Sequence, residues 1–202
     1  MGDALGTTLE FKRPGTFERI TGIVGGGPFA LQPGQWTDDT SMALCLAKSL
    51  LDKNGFDPAN QMQQYLRWYR TGDLSSTGAC FDIGMTVRHA LHEFEATRKP
   101  FCGPTHPQTA GNGCIMRLAP VPMFFARSPA DAIARSGESS RTTHGAVAAV
   151  DACRFFGSLI VGALNGVQKG ELLAAGYWTG DALVPEIDRI ARGSYKDRMP
   201  LV

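Results

Sequence analysis

Two adjacent carboxylates pose the first chemical question. In "GQWTDDTSM", Asp38 and Asp39 stand between Thr37 and Thr40, directly ahead of an apolar helical run. Neighbouring acids repel unless something positive answers them. A helix start can do so, because the free N–H groups of its first turn donate to carboxylates and carry the positive end of the dipole. A hard cation can also do so. Two carboxylates flanked by hydroxyls form an all-oxygen donor set suited to Mg²⁺ or Mn²⁺. Two residues do not complete an octahedral shell, so such an ion would need further ligands. These four residues support both readings.

Other short stretches are open in the same way. Glu10 closes the Gly-bounded segment "GDALGTTLEF" and reads either as a solvated loop acid or as a further site carboxylate. Asp3, in the same segment, reads as a residue tying down a turn. In "GNGCIMR", Gly111, Asn112 and Gly113 permit positive φ and expose backbone N–H groups ahead of a helix, which suits an anion cradle or an ordinary helix entry. Arg117, at the end of that stretch, reads as a surface or ion-pair residue. "SSRTTH" brings His144 to a helix start, where it could contact a ligand or serve the structure. Asp82 in "FDIGMT" has the position of an N-cap. His89 and His92 share a helix face and suit either a metal or a plain helical pair. The nucleophile and phosphate motifs Gly-x-Ser-x-Gly, the P-loop and a strand-linked Gly-x-Gly-x-x-Gly do not occur.

The elements that must position these residues are helical. Apolar spacing predicts helices over 41–53, from Asp57-Pro58 to Thr71, and from about Asp82 through Phe94. Further helices are expected over 113–125, 129–138, 143–164, 169–174 and 184–191. Only "RITGIV" alternates as a strand would. The two long connections rich in Gly and Pro, "EFKRPGTFERITGIVGGGPFALQPG" and "RKPFCGPTHPQTAGNG", are the kind of structured loop that carries function. The expectation is one all-α domain over residues 1–202.

Bulk properties narrow the function classes. Lys and Arg total 20 against 19 Asp and Glu, without a basic block, so a nucleic-acid partner is not expected. Five cysteines, an odd number with no Cys-x-x-Cys, point to reduced thiols and a cytoplasmic protein. The apolar stretch "FFGSLIVGAL" is short for a bilayer span, and no membrane partner is expected.

In order, "GDALGTTLEF", "GQWTDDT", "DIGMT", "GNGCIMR" and "SSRTTH" resemble the ADP-ribosylglycohydrolase family, which includes dinitrogenase-reductase-activating glycohydrolases and ADP-ribosylarginine hydrolases. The resemblance extends to "EIDRIARGSYKDRMP" near the end. It implies a compact all-α fold around a cleft with two Mg²⁺ or Mn²⁺ ions, and hydrolysis of an N- or O-glycosidic ADP-ribosyl linkage. By match to the family pattern, Thr37, Asp38 and Asp39 would ligate metal. Glu10, Asp39 and Asp82 would be the catalytic acids. Gly111, Asn112, Gly113, Met116 and His144 would bind substrate, an ADP-ribosylated protein or a small molecule containing ADP-ribose. The family also places a late Asp-x-Asp-Thr motif. The late acids here, Asp181, Asp188 and Asp197, do not form it. The expectation is therefore a fold lacking its C-terminal helices and incomplete at both ends, as a fragment or a degenerate paralogue. Its metal pair could be absent, and the surface so exposed could self-associate. The alternative function is that of a non-catalytic relative that binds ligand or serves structure.

Overall fold

The structure, a computed structural model, describes residues 1–197. Helices and loops account for these residues, and no strand forms among them. The alternation in "RITGIV" is not realised. A single antiparallel bridge, Gly26 to Leu31, closes a turn within the first long loop. In chain order the α-helices are α1 (Gly2–Gly6), α2 (Asp38–Lys53), α3 (Pro58–Thr71), α4 (Met85–Thr97), α5 (Gly113–Met116), α6 (Pro120–Phe124), α7 (Pro129–Arg141), α8 (Val147–Leu164), α9 (Lys169–Leu172) and α10 (Pro185–Ala191).

Local chemistry accounts for most of the boundaries. Asp57 caps α3, its Oδ1 accepting the Asn60 N–H at 2.9 Å, with Pro58 at the first helical position. Asn54 and Gly72 end α2 and α3 in left-handed conformations. The expected helix over 113–125 is instead two short ones. Pro120 has no N–H to donate into a preceding turn, so the chain breaks after Arg117 and restarts at Pro120. α7 runs on to Arg141, past the expected stop at Glu138. α8 starts only at Val147, leaving Thr143 and His144 in a tight turn between the two helices.

The core lies where α2, α3, α4 and α8 meet. Met42, Leu46 and Leu50 of α2 pack with Met62, Tyr65 and Trp68 of α3, with Val87, Leu91 and Phe94 of α4, and with Ala149 and Cys153 of α8. α7 lies along α8 through small residues, Ala132, Ser136 and Gly137 on one side and Ala149, Cys153 and Gly157 on the other. α8 is long and apolar enough to cross a bilayer by length and composition, which the reading of its apolar stretch as too short had not anticipated. In this fold it packs beneath α7, α6, α5 and α10 and carries the buried Asp151, whose Oδ2 accepts the Val184 N–H at 2.8 Å.

Two of the late acids form ion pairs. Asp181 pairs with Arg154 at 3.1 Å and Asp188 with Arg192 at 2.7 Å. Asp197 ends a 3₁₀ turn over Ser194–Asp197, and residues 198–200 of the late motif lie outside the described residues.

The second long loop is stitched to the α7–α8 turn by Cys102 N–H to Thr142 O (3.3 Å), Gly103 N–H to Arg141 O (3.1 Å) and Gly145 N–H to Pro104 O (3.1 Å). The backbones meet so closely that a Cβ on Gly103 would fall 2.4 Å from the His144 nitrogen. Gly103→Ala should therefore lower the unfolding free energy by about 2–4 kcal/mol in urea denaturation, because backbone must move to admit the methyl group. Gly170→Ala, where nothing lies within 4 Å, should change it by less than about 0.5 kcal/mol.

Candidate functional site

The site is built around the first turn of α2. That helix starts at Asp38, three residues earlier than the apolar spacing suggests, so both aspartates are helical. Thr37 is the N-cap residue, but its side chain makes no capping bond. The cap comes from Asp3 instead. Its carboxylate accepts the Thr37 N–H (3.1 Å), the Thr37 hydroxyl (3.0 Å), the Thr40 N–H (3.2 Å) and the Thr40 hydroxyl (2.6 Å). The expectation that Asp3 ties down a local turn is thus corrected. It clamps α1 to a helix more than thirty residues away and satisfies N–H groups that would otherwise be orphaned there.

From α1 the chain passes through a 3₁₀ turn, Thr7–Leu9, to Glu10, which accepts the Thr7 hydroxyl at 3.3 Å. The Thr8 hydroxyl donates to Gly25 O at 2.8 Å and pins the first long loop above this turn. Asp82 is not the N-cap of α4. Gly84 holds that place, and Asp82 sits two residues earlier at φ 57°, a left-handed conformation uncommon for a residue with a side chain.

Two adjoining clefts result. One, of about 590 Å³, is lined by Asp3, Thr7, Glu10, Thr37, Asp39 and Met116 among others. The second, of about 330 Å³, is lined by Glu10, Asp38, Asp82, Gly111, Asn112, Gly113, Met116 and His144, with Phe11 and Thr86. Every site residue that the family pattern implies lines one cleft or the other, and Glu10 and Met116 belong to both. Gly111 and Gly113 lie against the His144 ring. A Cβ would stand 3.2 Å from Nε2 at the first and 3.3 Å from Cε1 at the second. His89 and His92 are not part of the site. His92 Nε2 lies 3.1 Å from the Tyr69 hydroxyl on an exposed face.

The electrostatics are those of an unanswered negative cluster. Burial, and then the charges of Asp39, Asp82 and Asp3, push the Asp38 carboxyl up to about 8. Burial, and then Asp3, Glu10 and Asp82, raise Asp39 to about 6, and burial with Glu10 and Asp3 does the same for Asp82. Among the described residues no lysine or arginine offsets any of the three. This field and the all-oxygen donors fit a divalent cation. The ligand count is lower than a cation requires. Among the described residues no three His, Cys, Asp or Glu side chains converge to hold an ion between them. A cation at Thr37, Asp38 and Asp39 would draw the rest of its shell from water, substrate or other protein groups.

Arg117 differs most from its expected place. It is not at the surface and makes no ion pair among the described residues. It is 1 % exposed, stacked on the Tyr65 ring at 4.5 Å, and donates to Thr143 Oγ1 at 2.6 Å. The only sequence hint was the lack of a nearby acid in the apolar run around it.

A sequence model of the ADP-ribosylglycohydrolase family matches residues 1–199. The chain is 45% identical over 169 residues to a protein of Serratia proteamaculans (strain 568) named ADP-ribosylarginine hydrolase Tri1, covering 84% of this chain and 46% of that protein. A protein of the same name from Pseudomonas putida (strain GB-1) is 43% identical over 98% of this chain and 52% of its own length. The ADP-ribosyl-[dinitrogen reductase] glycohydrolase of Rhodospirillum rubrum is 33% identical over 79% of this chain and 53% of its own. The chain thus spans about half the length of these curated relatives. A solved structure described as an ADP-ribosylglycohydrolase-related protein complex superposes with a TM-score of 0.84 at 40% identity, over 98% of this chain and 64% of that one.

Two outcomes follow from the site geometry. Asp3→Ala should destabilise the protein by about 1–3 kcal/mol, read by thermal or chemical denaturation, because the first turn of α2 loses its cap. The raised carboxyls fix the sign of a pH effect. The folded state holds protons on Asp38, Asp39 and Asp82 that the unfolded chain has already released. The stability that these three carboxyls contribute in the presence of a chelator should therefore be fullest near pH 4 and fall as pH rises through about 6 and on to about 8, set against the smaller opposite effect of His144, whose depressed imidazole costs stability below about 6.5. Melting curves at pH 5 and pH 8 check this. A higher melting temperature at pH 8 would show that the carboxylates are compensated in some other way.

Proposed function

Because the chain belongs to the ADP-ribosylglycohydrolase family, we propose that its paired clefts bind an ADP-ribosyl group and support hydrolysis of the glycosidic bond joining it to an acceptor. The observation that carries this reading is convergence. Segments separated by as much as 134 positions in the chain, Glu10 and His144, line one cleft together with Asp38, Asp82 and the Gly111–Gly113 loop. The relatives named as arginine hydrolases favour an arginine acceptor, and hence an N-glycosidic bond.

Each wall has a separate task in this reading. The Asn112 and Gly113 N–H groups and His144 supply close-approaching donors for oxygens of the ADP-ribose, in the manner of an anion cradle, while the Gly111 N–H is held by Thr109 O at 2.8 Å. Met116 gives an apolar floor common to both clefts. Thr37, Asp38 and Asp39 would hold Mg²⁺ or Mn²⁺, which when bound supplies charge to orient ribose hydroxyls and water. Asp82, raised to about 6, exchanges a proton near neutrality and suits it to take the proton of the attacking water. Glu10, shared by the two clefts, borders the departing guanidine nitrogen, to which the proton that Asp82 takes from water passes as the bond breaks. Water's oxygen bonds to the anomeric carbon as the carbon–nitrogen bond breaks, giving ADP-ribose and free arginine.

The test is incubation of the chain with ADP-ribosylated arginine peptide and Mg²⁺ or Mn²⁺, with released ADP-ribose measured chromatographically. Release should require the metal and fall by about a hundredfold or more in Asp82→Asn. Isothermal titration with ADP-ribose completes it. Binding without turnover would favour the reading of a non-catalytic relative, to which the incomplete gathering of metal ligands also points. Neither binding nor turnover would discard the proposal.

A further inference from the structure

We propose that Arg117 is a positioning residue that acts through Thr143 to lock His144 in the Nε2–H tautomer, so that the ring offers a fixed hydrogen-bond donor to an acceptor oxygen of the ligand. The ligand half of this inference rests on the ADP-ribose reading above; the tautomer half does not.

The argument is an accounting of protons in a dry place. Arg117, Thr143 and His144 are 1 %, 0 % and 2 % exposed. A guanidinium can only donate, so the 2.6 Å contact from Arg117 Nη2 makes Thr143 Oγ1 an acceptor. Thr143 Oγ1 also lies 2.9 Å from His144 Nδ1. The Thr143 hydroxyl makes no other hydrogen bond among the described residues. If Nδ1 carried the ring proton, Oγ1 would accept twice and its own hydrogen would be buried without a partner, at a cost of about 1–3 kcal/mol. With Nδ1 as acceptor, the Thr143 hydroxyl hydrogen has its partner and Oγ1 accepts only from Arg117; Arg117 Nε, buried without a partner among the described residues, is the same in either tautomer. The ring proton is then on Nε2, the nitrogen against Gly111, in a ring that lines the cleft.

The rest of the surroundings hold Arg117 in this role. Its charge has no carboxylate partner among the described residues. It meets the carbonyl end of α7 through Ser139 O at 3.5 Å, the Thr142 hydroxyl at 3.4 Å and the Tyr65 ring. Gln61 donates into the same group, to Ser139 Oγ at 2.9 Å and Thr142 Oγ1 at 3.1 Å, so the acceptors cannot turn away. Burial, together with this neighbouring cation, also holds the imidazole far below its ordinary range, near 3, and keeps it neutral.

Nitrogen-15 spectra of histidine-labelled protein in Mg²⁺ read the tautomer directly, with the His144 signals identified by their loss in His144→Gln. The expected result is an unprotonated Nδ1 and a protonated Nε2. Thr143→Val, which removes the hydroxyl at nearly constant volume, should give a mixture of tautomers, and Thr143→Ser should restore the single form. Arg117→Met, if it folds, should also give the mixture. ADP-ribose affinity by calorimetry should fall about tenfold in Thr143→Val with the apolar contacts intact, and return in Thr143→Ser. A protonated Nδ1 in the wild type, or a spectrum unmoved by Thr143→Val, overturns the inference. Wild-type protein that shows the expected tautomer yet binds no ADP-ribose overturns the ligand half together with the functional reading, and leaves the Arg117–Thr143–His144 relay established.

Discussion

Carboxyl groups gathered in a buried place, with no lysine or arginine among the described residues to offset them, are the constraint on which the rest of this structure depends. Burial first, and then the charges of their acidic neighbours, raise Asp38, Asp39 and Asp82 well out of the carboxylate range. A chain left to its local preferences would spread these groups into solvent. Three features prevent that. The Asp3 clamp fixes the start of α2 and commits both aspartates to a helical turn. The Thr8–Gly25 contact keeps the first long loop over Glu10. The left-handed backbone at Asp82 turns that residue in ahead of α4. The hydrophobic core below supplies the free energy that tolerates this burial, since Met42, Leu46 and Leu50 are buried in the later turns of the same helix.

Arg117, the one fully buried arginine among the described residues, does not relieve this crowding. Arg117 acts on Tyr65, Cys45, Cys114 and His144, and not on any of the three raised aspartates. The protein thus keeps two electrostatic regions apart. The acidic one faces the clefts, and the basic one is sealed beneath them by α3 and the carbonyl end of α7. Their separation has a chemical consequence. A buried cation directly beside the aspartates would satisfy them and remove the demand for an external one. Placed behind His144 instead, it leaves that demand intact and conditions a neutral donor on the neighbouring wall.

How far the sequence disclosed this depends on the range of each interaction. Capping and stop signals act within a few residues, and they placed α3 from Asp57-Pro58 to Gly72 and the end of α2 at Asn54. The ordered motifs pointed to the residues that line the clefts, because each motif is a local segment with its own turn chemistry. The features that were not legible join distant segments. Nothing near Asp3 indicates that its partners are Thr37 and Thr40. Asp82 looks like a cap because caps are read from the next few letters, whereas its backbone is set by where α4 must enter the core. Arg117 looks like a surface residue because its neighbours in space, Tyr65 and Thr143, come from other helices and turns. The break at Pro120 was visible in the letters, and it was outweighed by an apolar run on both sides that read as continuous.

The arrangement of Asp38 and Asp39 is best understood from helix geometry. Successive residues of an α-helix point about 100° apart, so two adjacent short side chains on one turn reach toward neighbouring clefts and would share ions only where those clefts adjoin. Asp38 faces the cleft of Asp82, Gly111–Gly113 and His144, whereas Asp39 faces the cleft of Asp3, Thr37 and Glu10. The pair therefore straddles a ridge and is not the floor of a single pocket. Glu10 and Met116, common to both clefts, mark that ridge from the other side. A ligand that merely filled one cleft would meet one aspartate. A ligand whose two parts lie on either side of a bond, with that bond over the ridge, would meet both, with a carboxylate of either cleft and the shared Glu10 within its reach. For the proposed reaction this geometry distinguishes the ADP-ribose side, walled by the glycine loop and the fixed His144 donor, from the acceptor side, walled by acids and threonine hydroxyls. An acidic wall suits a cationic acceptor such as a guanidinium, so the same gathering of carboxyl groups would favour the group that is to be released.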